Sequence, residues 1–168
     1  MLGKTLVHVG RDGVRRSGRI VETEAYVGPD DLASHARVGP KGRATLMYGL
    51  AGVAYVYLVY GMHHCFNAVT EQEGYPGAVL VRAIEPLDSA ERGNGPALVC
   101  RALNIDRTCN GVDLTSSDLF LEDGETLSNA TSFISVLSLP VLLDGLVPQL
   151  AQAVDGNPAT PVERAAAS

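Results

Sequence analysis

The chain has 168 residues, of which 46% are hydrophobic and 19% charged, with a mean hydropathy of +0.11, a balance that excludes intrinsic disorder and describes one globular domain. Its net charge of −6 argues against wholesale nucleic-acid binding, yet residues 1–50 carry eight Lys/Arg against five Asp/Glu while residues 101–168 carry three against nine. Cys65, Cys100 and Cys109 form no C-x-x-C pair, which excludes a disulfide framework and a Cys-type zinc site and, with no signal-peptide pattern at the start, sets the expected location as cytoplasmic.

Thr5 to Val9 is a β-branched run, Gly10-Arg11-Asp12-Gly13 is turn chemistry and Arg19 to Tyr26 alternates, which predicts a β-hairpin. A period of two puts Ile20, Glu22, Glu24 and Tyr26 on one face of the second strand, so two carboxylates and a phenol line up. Arg11, Arg15, Arg16 and Arg19 read as a polyanion-facing surface or as a solvated hairpin face, the second being preferred. Asp30, after Gly28-Pro29, is placed to cap a short helical turn through His35 and Arg37. Ala54 to Tyr60 is β-branched and aromatic, stops at Gly61 and resumes through Cys65-Phe66-Asn67.

Ala78 to Ile84 predicts another strand, with Arg82 on the face of Leu80 and Ile84. A guanidinium there needs a carboxylate or a ligand, because an unpaired buried charge is costly; Glu22, Glu24 and Glu85 are the available partners. Pro96 opens a predicted helix through Leu103, and Asn110-Gly111 marks a turn before Val112-Asp113-Leu114. Strands joined by turns predict an α+β, strand-dominated single domain: a curved antiparallel sheet or partly open barrel with short flanking helices. From residue 126 the only charges are Asp144, Asp155, Glu163 and Arg164, and Phe133 to Val147 follows no clean period. Residues 126–168 are therefore set apart from 1–125 as a divergent segment, frayed from Asn157 onward. Thr131 to Leu143 is too short for a membrane span and contains Pro140.

No P-loop, G-x-G-x-x-G, G-x-S-x-G or H-E-x-x-H motif occurs. His63 and His64 are adjacent on a predicted strand and diverge to opposite faces, a poor arrangement for joint metal ligation. What remains is Glu24 with Tyr26, His35 on the next turn, Tyr57 and Tyr60 on one strand, Asn67 beyond it and Arg82 on another. A carboxylate takes a proton from an attacking water, an arginine holds both in place, and aromatic walls grip a flat ring. Tyrosines on strands are, by composition alone, more often packing residues than ligand walls.

The runs Arg19-Ile20-Val21-Glu22-Thr23-Glu24-Ala25-Tyr26-Val27-Gly28, Tyr55-Val56-Tyr57-Leu58-Val59-Tyr60-Gly61-Met62-His63-His64-Cys65 and Val81-Arg82-Ala83-Ile84-Glu85-Pro86 resemble the 3-methyladenine (alkyladenine) DNA glycosylases. Gly95-Pro96, Ala102-Leu103 and Asn110-Gly111-Val112-Asp113-Leu114 carry the resemblance to about Leu121. It implies a monofunctional enzyme that flips an alkylated purine out of double-stranded DNA and hydrolyses its N-glycosidic bond with water. It also implies a monomer acting without cofactor, metal or membrane, nucleoid-associated in a bacterium. By position, Glu24 matches the general base and Arg82 the residue that helps hold the water. Tyr26, His35 and Tyr57 match the walls stacking on the flipped base, Asn67 the gate against guanine, and Tyr60 the wedge filling the vacated stack.

The chain departs from that pattern in several places. It starts inside the family's Leu-Leu-Gly-Lys stretch, carries Leu98 where a basic residue is usual, and has Gly42-Arg43-Ala44 in place of Pro-Arg-Asn, so weaker phosphate contacts are expected. The family's closing strand, whose backbone is expected to complete the water site, has no recognisable counterpart after residue 126. The charge-poor tail is what a changed reading frame or a diverged replacement would produce. Two competing readings follow: a lesion-DNA binding module with impaired catalysis, and a small protein binding a free purine or another flat ligand.

Overall fold

The computed structural model describes residues 1–124 and the backbone of residues 131–134. The elements are β1 (Thr5–Val9), β2 (Arg15–Val27), β3 (Ala54–Val59), β4 (His63–Val69), β5 (Gly77–Pro86), α1 (Pro96–Ala102), β6 (Leu119–Glu122) and β7 (Thr131–Ile134), with 3-10 turns at His35–Val38, Gly42–Tyr48 and Arg107–Cys109. Six strands form one antiparallel sheet in the order β3-β4-β5-β2-β1-β6, and β7 lies parallel to β2. This is the strand-dominated α+β architecture expected, with a curled sheet and short flanking helices. The helix ends one residue before the predicted Leu103. The expected divergence of 126–168 and fraying of Asn157–Ser168 lie outside the described residues, β7 excepted. Among the described residues no helix is long and apolar enough to cross a membrane.

The core follows from the β-branched and aromatic strand residues. Leu6, Val7, Ile20, Phe66, Val69, Val81, Val99, Leu103 and Leu119 are fully buried, and α1 covers β4 and β5. A satellite cluster of Ala36, Met47, Tyr55, Val69 and Ala78 binds the two 3-10 turns after β2 to the sheet. Gly18 is required where β2 meets β5: a Cβ there would lie 2.5 Å from Ile84 Cδ1.

Two corrections concern local geometry. The β2–β5 register pairs Ile20 with Ile84, Glu22 with Ala83 and Thr23 with Val81, which leaves Val21 and Arg82 as extra residues at opposed irregularities. An extra residue reverses the alternation of a strand. Ile20 is accordingly fully buried whereas Glu22, Glu24 and Tyr26 are half-buried, so Ile20 does not share their face as a strict period of two predicts. Arg82 follows Leu80, the register partner of Glu24, by two residues, and its guanidinium reaches that same Glu24. The turn after β2 is capped by Ser34, whose hydroxyl accepts from the Ala36 amide, and Asp31 accepts from the Val27 and Ala33 amides. The role expected of Asp30 thus falls to its neighbours, because Ser34 stands directly before the 3-10 turn.

Three of the four hairpin arginines are engaged with carboxylates: Arg15 with Asp88 and Glu122, Arg16 with Asp12, and Arg19 with Glu85. That is the solvated face preferred from the sequence. Such exposed pairs each contribute about 0–1 kcal/mol.

Candidate base-binding and catalytic site

Antiparallel pairing of β2 with β5 brings Glu24 and Arg82 together from positions 58 apart in the chain. Arg82 Nη1 donates to Glu24 Oε2 at 2.5 Å, with the carboxylate side chain 18% and the guanidinium 39% exposed. Of the three carboxylates weighed as partners for Arg82, Glu24 lies within hydrogen-bonding distance, and Glu85 is engaged by Arg19. On the neighbouring strand, β7 runs parallel to β2 with Phe133 in register with Glu24.

Beside this pair, Tyr26, His35, Tyr57 and Asn67 line a single cavity of about 30 Å³ together with Ala33, Met47 and Tyr55. Four of the sequence-predicted site residues thus converge from β2, the following 3-10 turn, β3 and β4. Burial, then the charge of Glu24 and a hydrogen bond to it, raise the Tyr26 phenol well above its ordinary value. Tyr57 is pushed up to about 12, first by burial. Both phenols therefore remain neutral across the physiological range. His35 is held below its ordinary value by burial and by the nearby Arg43 charge, so its ring is neutral as well. The His35 and Tyr57 rings meet edge-on, with centroids 4.7 Å apart at 79°. Asn67 is 1% exposed, and its Nδ2 donates to the Tyr55 carbonyl at 3.0 Å, which fixes the amide's orientation.

Tyr55 was not singled out from the sequence, yet its hydroxyl lies 2.8 Å from His35 Nδ1 and its ring is 5.2 Å from that of Tyr57. Burial raises the Tyr55 phenol, so it keeps its proton. A hydroxyl that donates to Nδ1 leaves the His35 ring proton on Nε2. The signal that would have found Tyr55 is the period of two from Tyr57, which puts both on one face of β3.

Tyr60 stands apart from the cavity. It follows the last residue of β3 rather than lying within the strand as predicted, in a turn where its φ is +50° and its side chain is 89% exposed. The tight β3–β4 connection demands the left-handed conformation, shared with Gly61 at φ +71°. Met62, on the same turn, is also largely exposed. A second, shallow concavity adjoining His35 is lined by Arg37, Lys41 and Arg43 among others. These three cations account for much of the excess positive charge of residues 1–50.

The curled antiparallel sheet thus sets a carboxylate–guanidinium pair beside a slot of neutral aromatic rings. Comparison with known proteins carries this further. Residues 1–136 match the model of the methylpurine-DNA glycosylase (MPG) family, and the chain belongs to that family. It is 62% identical over 126 residues, 73% of its length, to a protein of Anaeromyxobacter sp. strain Fw109-5 named "Putative 3-methyladenine DNA glycosylase". Proteins of the same name from Myxococcus xanthus and Legionella pneumophila strain Corby are 52% identical over 127 residues and 47% over 133, covering 74% and 78% of the chain. The chain spans 64%, 65% and 72%, respectively, of those three proteins' own lengths.

Proposed function

We propose that this chain is a DNA-repair glycosylase that flips alkylated purines out of duplex DNA and hydrolyses their N-glycosidic bond with an activated water. The observation that carries the reading is the Glu24–Arg82 pair set beside the slot of Tyr26, His35 and Tyr57. Glu24 takes the proton of the attacking water, and Arg82 orients the carboxylate and the water on the sugar side of the base. The β7 backbone, in register with Glu24, completes the surroundings of that water. The purine stacks between Tyr26 and the His35 and Tyr57 rings, gaining about 1–3 kcal/mol. A cationic alkylpurine gains further from the electron-rich rings and from the absence of charge on His35. The free cavity, about 30 Å³, has room for water rather than a base, so entry of the purine widens the slot. Asn67, its amide held in place by the Tyr55 carbonyl, is the gate against unmodified guanine.

Tyr60, presented at the tip of the β3–β4 turn, fills the gap left by the flipped nucleotide. Flipping costs a few kcal/mol, least at a poorly paired lesion, so wedge and slot together favour damaged over intact pairs. Arg37, Lys41 and Arg43 meet the phosphates around the flipped nucleotide.

The test is single-turnover release of 3-methyladenine or 7-methylguanine from alkylated duplex DNA, comparing the wild type with Glu24→Gln at matched folded concentration. Release that falls about 100-fold or more in the variant supports the assignment. Equal silence of both proteins with retained lesion binding selects the catalytically impaired reader instead. Loss of duplex affinity altogether, with binding of free purine, selects the small-ligand protein.

A further inference from the structure

A second cluster of reactive side chains lies at the other end of the sheet order, where β1, the end of α1 and the Arg107–Cys109 turn converge. His8, on β1 opposite Leu119 of β6, places Nδ1 2.8 Å from the carbonyl oxygen of Leu103 and Nε2 3.8 Å from Sγ of Cys109. The Leu103 carbonyl accepts only, so Nδ1 carries a proton and Nε2 is the basic nitrogen facing the thiol. The order is nucleophile, base, orienting acceptor, the arrangement by which a thiol is activated. Both residues line a cavity of about 430 Å³, room for a small molecule, and Cys109, only 5% exposed overall, meets solvent there. Asp12, Asp106, Asp118 and Arg11 also line it. Arg16, which bonds Asp12, is the further charge felt by His8.

We propose that His8 and Cys109 form an activated-thiol site that reacts with small neutral alkylating electrophiles entering this cavity. The Cys109 proton passes to His8 Nε2, and the thiolate attacks the electrophilic carbon. The S–C bond forms as the carbon–leaving-group bond breaks, the leaving group departs with its electron pair, and the imidazolium returns its proton to solvent. Three carboxylates against Arg11 disfavour an anionic reagent. The electrostatics agree with the geometry. Burial and the Asp106 charge raise the Cys109 thiol, but its hydrogen bonds with His8 and with the Asp106 backbone and the His8 charge outweigh them and leave the thiol below its ordinary value. His8 is raised above its own, chiefly by the Cys109 hydrogen bond. Cys65 and Cys100 are both raised by burial, which makes them internal references in the same chain.

The experiment is site-resolved alkylation of the folded chain by iodoacetamide and iodoacetate, read by peptide mass spectrometry from pH 6 to pH 10. At pH 7, Cys109 is expected to react about tenfold or more faster than Cys65 and Cys100. Its rate should level off on the alkaline side well before an ordinary thiol's, and its preference for iodoacetamide over iodoacetate should exceed that of free cysteine. His8→Gln should slow Cys109 about tenfold at pH 7 and leave Cys65 unchanged. A Cys109 rate that climbs with pH as an ordinary thiol's does overturns the proposal on the wild type alone, whatever the folding of the variant. So does a Cys109 no faster than the buried pair, or a reagent preference equal to free cysteine's.

Discussion

Tyr55→Phe removes one hydroxyl, leaves no cavity and tests how the aromatic slot sets the charge of His35. The hydroxyl is 2.8 Å from Nδ1 in a half-buried setting, and a neutral hydrogen bond of this kind contributes about 1 kcal/mol. A hydroxyl that donates to the unprotonated nitrogen favours the neutral ring, so its loss should raise the His35 pKa back toward the ordinary value. The folded-state value is depressed, so the unfolded chain takes up the His35 proton first as pH falls. Stability from this source is complete above about pH 6.5 and declines with acidification until the folded ring protonates. The variant should therefore be less stable than the wild type by about 1 kcal/mol at pH 7.5, a fall of about 2–4 °C in Tm, with the difference shrinking toward pH 5. Histidine ring titration by NMR and urea unfolding at the two pH values read both quantities. An unchanged His35 titration in a variant that is nonetheless destabilised equally at both pH values would refute the reasoning.

Tyr60→Ala should leave urea-unfolding stability within about 0.5 kcal/mol, because the side chain is exposed, while weakening binding to lesion-containing duplex about tenfold, the equivalent of one lost stacking contact, in a fluorescence anisotropy titration. Tyr60→Gly should be at least as stable as Tyr60→Ala, since the positive φ suits glycine. Phe66→Ala, at a fully buried β4 position, should cost about 3–5 kcal/mol and lower the thermal midpoint sharply, visible by circular dichroism.

The strands were legible because their signals are local. The β-branched runs at Thr5–Val9 and Ala54–Val59, the turn residues Gly10–Gly13 and Gly61, and Pro96 at the start of α1 each announce an element in a few adjacent residues. The candidate site was legible through residue types and motif resemblance, which singled out Glu24, Tyr26, His35, Tyr57, Asn67 and Arg82. Their convergence was not. The opposed irregularities at Val21 and Arg82 depend on how β2 fits β5, and no one-strand alternation contains them. Tyr55 became a partner of His35 only when the 3-10 turn after β2 packed over β3, and Ser34 displaced Asp30 as the cap in that packing. The meeting of His8 with Cys109, 101 residues apart, left no trace in sequence spacing. Residue chemistry and periodicity are written along the chain, and so the sequence by itself determined which elements form and which groups could react. Register, bulges and long-range pairings are decided by packing between segments, and only the tertiary structure selected which of those groups stand within bonding distance.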